Sequence, residues 1–198
     1  MRPGTQTAFR DVTLSFALVM AVVFLLPHLP KQAERETDTR NPGTITGQIT
    51  WPDGMAVDVD LWFRGPDGVG VGYNNLGGQI ANLLRDDLGS VWDFLPINHE
   101  IIATRGAPAG EYQFNIYYFR GDIAPVPVRF EVRKQTGNEP ATVLYQRTVD
   151  LKFMTQEITM VRFSLDTGGW VVPNSLNQVH RPIATIGVGS GAPGHGTP

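Results

Sequence analysis

The chain has 198 residues and no cysteine. That absence removes thiol nucleophiles, zinc–thiolate centres and disulfides together. Basic residues are few and dispersed. Sixteen Lys and Arg stand against 19 Asp and Glu, for a net charge of −3, and there is no basic patch of the kind that nucleic-acid binding requires. The four histidines, His28, His99, His180 and His195, have no metalloprotease spacing. Ser190 lies in Gly187-Val-Gly-Ser-Gly191 and not in a strand-turn-helix nucleophile elbow. Gly68, Gly70 and Gly72 alternate in a hairpin-like stretch with no helix after them, so they form no phosphate cradle. No enzymatic constellation survives, and the expectation is a protein that is not an enzyme. There is no internal repeat, and only one long hydrophobic run.

That run, residues 12–26, holds 15 uncharged residues and continues through Pro27 and His28 to Leu29. Asp11 stands directly in front of it. The 19 residues from Asp11 to Leu29 come close to the roughly 20 that a helix needs to cross a bilayer core. A carboxylate at that boundary is costly if it faces lipid, which makes it a functional-site candidate. It also suits a helix N-cap, because Asp accepts from the free amides of a first turn. At about 100° per residue, Ser15, Leu18 and Val22 fall on the Asp11 stripe. A second stripe carries Thr13, Ala17 and Ala21, the small-xxx-small spacing that lets two membrane helices approach closely. The helix thus has one face suited to a second copy of itself and another that points Asp11 toward a different partner.

Phe9-Arg-Asp11-Val-Thr-Leu14 followed by an apolar helix resembles the start of the membrane helix in the B subunits of ion-driven motors, the TolR/ExbD and MotB type. The resemblance covers about 25 residues. It implies a single-pass protein of the bacterial inner membrane, with a short cytoplasmic N-terminus and a periplasmic domain. It implies that Asp11 alone carries H⁺ or Na⁺; Ser15, on the same stripe, is the polar neighbour that an ion-carrying role needs. No cofactor is implied other than that transported ion. The implied partners are a ring of multi-spanning TolQ/ExbB/MotA-like subunits, a second copy of the chain paired along Thr13, Ala17 and Ala21, and an unidentified envelope target. The peptidoglycan-binding and small TolR/ExbD modules usual in that family are not evident after residue 40.

A secretory signal peptide competes for the same segment, with Arg2 and Arg10 as its basic region and residues 12–26 as its apolar region. Asp11 lies against that apolar region, and Pro27-His-Leu-Pro30-Lys-Gln is a poor cleavage context. The positive-inside rule does not decide orientation: two basic side chains precede the run, and Lys31, Arg35 and Arg40 follow it.

The expected organisation is a cytoplasmic N-terminus over 1–10, a transmembrane helix over 11–29, a charged linker over 30–42, a β-sandwich over 43–181 and a flexible Gly/Pro-rich tail over 182–198. Twenty-two Gly and 15 Pro suit many turns between short strands. Residues 44–51, 57–63, 69–73, 99–104, 110–119, 126–134, 141–153 and 157–165 read as strands, with turns at Pro52-Asp-Gly54 and Gly65-Pro-Asp-Gly68 among the separators. Seven or eight such strands predict a mainly β protein, an Ig-like antiparallel sandwich. Only residues 79–88 have a helical pattern. Tyr112, Phe114, Ile116 and Tyr118 share one strand face. Trp62 and Tyr117 have the opposite parity to the aliphatics, so both faces of a sheet carry aromatics, one toward a second sheet and the other toward a loop or partner.

Val57-Asp-Val-Asp-Leu-Trp62 with Pro66-Asp-Gly68, Arg85-Asp-Asp87, Asn98-His-Glu100, and Pro108-Ala-Gly-Glu-Tyr112 with Asn115-Ile-Tyr-Tyr118 resemble small Ig-like sandwiches of bacterial envelope proteins. That resemblance implies a fold and no activity. The acids available for chemistry are Asp58, Asp60, Asp86, Asp87, Asp93 and Glu100. Asp58 and Asp60 share a strand face, about 7 Å apart, and with Asp86 or Glu100 could bind calcium. Their spacing is not that of an EF-hand. The preferred expectation is that Asp58 and Asp60 are solvated outer-face residues or cap a loop. Paired carboxylates for glycoside hydrolysis have no further support.

Overall fold

A computed structural model describes residues 43–88 and 97–184, with Phe16 and Met20 besides. The chain divides into two compact units, 1–39 and 40–198. In the first, Phe16 and Met20 are helical. Asp11, Thr13, Ser15, Ala17 and Ala21 lie outside the described residues, as do the expected segment 1–10, the linker 30–42, Asp93 and residues 185–198. Among the described residues, no helix is long and apolar enough to cross a membrane.

The second unit is mainly β. Its strands are β1 Ile45–Thr50, β2 Asp58–Arg64, β3 Gly70–Val71, β4 Ala81–Arg85, β5 His99–Thr104, β6 Gly110–Arg120, β7 Val126–Lys134, β8 Thr142–Leu151 and β9 Glu157–Leu165. One sheet runs β4-β5-β1-β7-β8 and the other β3-β2-β6-β9. Every pairing is antiparallel. Ile49, Ile102, Val128, Phe130 and Val132 of the first sheet meet Leu61, Phe63, Tyr112, Phe114, Ile116 and Phe163 of the second in one core. Period-two alternation explains this directly, since successive strand side chains point to opposite faces. Tyr112, Phe114, Ile116 and Tyr118 all face that core, as their shared parity predicts.

One element differs in kind from its expectation. Residues 79–88 have apolar side chains at Ile80, Leu83, Leu84 and Leu88, a helical spacing. The structure instead pairs β4 with β5, setting Ala81 opposite Thr104 and Leu83 opposite Ile102. Ala81 is buried and Leu84 is exposed. Pairing with β5 overrides the local pattern, as tertiary context commonly does with intrinsic preference.

The outer face of the four-stranded sheet is also covered. Trp62 packs with Tyr73, Tyr117, Ile183 and Ala184 in a second apolar cluster, with the Trp62 and Tyr73 rings edge to face at 5.6 Å. The segment after β9 crosses this face. The Arg181 carbonyl accepts from Asn115 Nδ2 at 2.8 Å and from Gln113 Nε2. Glu157 Oε1 accepts from the backbone N–H groups of Ile183 (2.8 Å) and Ala184 (3.2 Å). Packed structure therefore continues past the expected sandwich boundary at 181.

Gly47, on β1, faces Phe114 of the second sheet across the core. A Cβ there would stand 2.7 Å from Phe114 Cδ1, inside any normal carbon–carbon contact. Phe114 is fully buried against Phe63 and Phe130, so the ring has no free space to move into. Gly47→Ala is expected to lower stability by about 1–3 kcal/mol, as overpacking does, read as a reduced urea midpoint. An unchanged midpoint would show that the core yields at this point.

A candidate cation site at the corner between the sheets

Strand β3 pairs only with Phe63 and Arg64, so most of the β2 edge has no strand beside it. A buried edge amide needs an acceptor. Glu100 supplies one from β5, in the other sheet. Its Oε2 accepts from Leu61 N at 2.6 Å, and its Oε1 accepts from Asp87 N at 3.2 Å. The segment after β4 is fixed by Asp87, whose Oδ2 accepts from His99 N at 3.0 Å and pairs with Arg85 at 3.3 Å. Arg85 also donates to the carbonyls of His99 and Ile97.

These contacts gather three of the four acids named as calcium candidates. Asp60, Asp86 and Glu100 each offer a carboxylate oxygen, all within 4.8 Å of one another. Asp86 is exposed, whereas Asp60 is 3% and Glu100 1% exposed. Asp58 lies beside the trio but pairs with Arg120 at 3.3 Å, and Arg120 also donates to the Leu88 carbonyl. Asp58 and Asp60 are both buried, which overturns the expectation that they are solvated. Their outward parity is right, but segment 86–88 and its tie to Arg120 close over this part of β2.

The electrostatics are unbalanced. Burial, reinforced by the charges of Asp58 and Asp86, pushes the Asp60 carboxyl up to about 8. Burial also holds Glu100 well above the ordinary carboxylate range, with Asp60 adding to it and the Leu61 and Asp87 amides opposing it. Asp58 is raised to about 6 by burial, with Arg120 pulling the other way. Like charges about 4 Å apart cost about 4 kcal/mol per pair at an effective dielectric of about 20. Asp60 Oδ2 and Asp58 Oδ1 are buried without a hydrogen-bond partner. Among the described residues, Asp60, Asp86 and Glu100 make no ion pair. An all-oxygen anionic donor set of this kind suits a hard divalent cation.

Arg120 and the Leu61 amide were not legible as parts of this corner, because both depend on which strand edge is left uncovered. A shallow concavity of about 370 Å³ on the other sheet, lined by Arg129, Gln146, Arg147 and Thr148, is distinct from it. Beside it, on the same sheet, buried Glu131 pairs with both Arg129 and Arg133. No family model matches the chain, and neither a curated protein nor a solved structure matches it.

The Asp60 shift has a definite sign. An unfolded chain releases this proton near pH 4, while the folded chain keeps it to about pH 8. The folded state thus binds more protons across that window, and its stability falls as pH rises through it. Asp58, Asp86, Glu100 and Tyr117 face Asp60, with Arg120 engaged by Asp58. With EDTA present, Asp60→Asn is expected to raise the urea midpoint above wild type at pH 8, with the gap closing toward pH 4. A variant less stable than wild type at pH 8 would contradict the account of an uncompensated charge.

Proposed function

We propose that this chain is the B-type subunit of a proton- or sodium-driven membrane motor of the TolQR, ExbBD and MotAB kind, with the β-sandwich as its output domain in the cell envelope. The observation that carries the proposal is Asp11, the only acidic residue among the first 33, standing directly before the 15 uncharged residues of 12–26. Two copies pair along Thr13, Ala17 and Ala21, inside a ring of multi-spanning partners. Protonation of Asp11 removes the cost of carrying its charge past an apolar surface, and release on the other side restores the charge. The alternation drives relative rotation of ring and dimer. A folded domain with a continuous core, which starts at Ile45, supplies a rigid body through which that motion reaches an envelope target.

The full chain, extracted from membranes in detergent, is expected to bring a multi-spanning protein with it, and the pair to conduct ions in proteoliposomes. Asp11→Asn keeps shape and capping ability but does not titrate. It is expected to abolish flux while leaving co-purification intact. Full flux from that variant rules the mechanism out, and a mature chain lacking its first thirty or so residues makes the protein a secreted sandwich binding module instead.

The packing stripe has its own test. Ala17→Leu is expected to reduce dimer cross-linking in membranes severalfold. Unchanged cross-linking would remove Thr13, Ala17 and Ala21 from the interface.

A further inference from the structure

We propose that the corner formed by β2, β5 and segment 86–88 is a calcium site, with Asp60, Asp86 and Glu100 as its protein ligands. This goes beyond the motor proposal and does not depend on it. The three ligand oxygens lie within 4.8 Å of one another, and two of the three carboxylates are almost wholly withdrawn from water. Acidic clusters are common on surfaces, but a buried carboxylate without a donor is not. Asp60 has an oxygen in that condition, on a side chain 3% exposed, and it belongs to the trio. The basic groups nearby are engaged elsewhere: Arg120 with Asp58 and the Leu88 carbonyl, and Arg85 with Asp87 and two carbonyls. Among the described residues, no basic group stands at the centre of the corner.

Donor chemistry and size select the ion. All three ligands are carboxylate oxygens, which disfavours zinc and copper relative to hard cations. Calcium takes six to eight oxygens at about 2.3–2.6 Å, so it spans oxygens up to about 5 Å apart. Magnesium, at about 2.0–2.1 Å, spans only about 4 Å, demands near-ideal octahedral geometry and holds its water tightly. Exposed Asp86 leaves one side of the corner open, through which the ion enters and where water completes its shell. Glu100 is already oriented by two backbone amides, from Leu61 and Asp87, the second-shell support that metal ligands typically have. An ion here links β2 of one sheet to β5 of the other and to the segment between β4 and β5. Calcium therefore acts as a staple between the sheets, and its binding free energy adds to the stability of the fold.

The test uses the full chain in detergent, stripped with EDTA and titrated with CaCl₂ alone by calorimetry, with thermal unfolding in parallel. The expected result is one calcium per chain and a raised unfolding temperature, with magnesium at the same concentration giving a smaller shift. Asp60→Asn and the exposed-site variant Asp86→Asn are each expected to weaken binding about tenfold or more. Asp86→Asn keeps the test valid if a change at Asp60 disturbs folding. Asp150→Asn, on exposed β8, and Asp11→Asn are expected to bind calcium as wild type does, which separates this site from the ion step at the membrane. No heat and no shift at millimolar CaCl₂, or unchanged affinity in both Asp60→Asn and Asp86→Asn, overturns the proposal.

Discussion

Strand β2 is buried along almost its whole length: six of its seven residues, Asp58 to Phe63, are buried. An outer strand neighbour usually leaves one sheet face wet, but here both faces and part of one edge are covered. Leu61 and Phe63 point into the core, while Trp62 points out beneath the segment that follows β9. Asp60 has the same outward parity, yet it is closed off at the corner with β5. The short β3 leaves the Leu61 amide to be satisfied by Glu100 instead of by a strand. Most of what distinguishes this sandwich is a response to that one strand.

Covering an outer face with irregular chain brings polar backbone into a dry place, and the structure meets the cost with side chains. Gln113 and Asn115, both buried, donate to the Arg181 carbonyl, and the Thr159 hydroxyl accepts from Arg181 N at 3.0 Å. Glu111 holds Arg162 and Arg181 at the margin of the same crossing. These contacts lie between residues about 20 to 70 positions apart, so side chains of β6 and β9 hold the end of the crossing segment, while its earlier part is bridged to the β9 backbone at Arg162–Asn177 and Leu165–Val171. The tyrosine at the start of β6 follows the same habit: Tyr112 OH donates to the Pro108 carbonyl at 2.7 Å, pinning the turn that feeds the strand.

Much of this was legible from local pattern, and the failures share a cause. Strands β5, β7 and β9 fall at their expected bounds because their alternation reflects a real inner face. The opposite parity of Trp62 and Tyr117 signalled a second apolar surface, which the structure supplies. Segment 79–88 has a helical pattern because Ile80, Leu83, Leu84 and Leu88 satisfy a 3.6-residue period, but the deciding information lies in β5. Asp58 and Asp60 lie on the side of the strand that their parity gives, but buried and not in solvent. Period two gives a direction, but it does not say that residues 86–88 will fold back over that side. All four acids of the candidate site could be named from sequence. That Arg120 would claim one of them, leaving three, could not.

The bond between Glu157 and the backbone of Ile183 and Ala184 has a practical corollary for anyone shortening the chain. Ending it a few positions earlier would strip the lid from the Trp62 indole, leave Glu157 Oε1 short of two donors, and turn a sealed face into an adhesive one. Fragments trimmed there should clump, and a fusion partner is better joined downstream of Ala184.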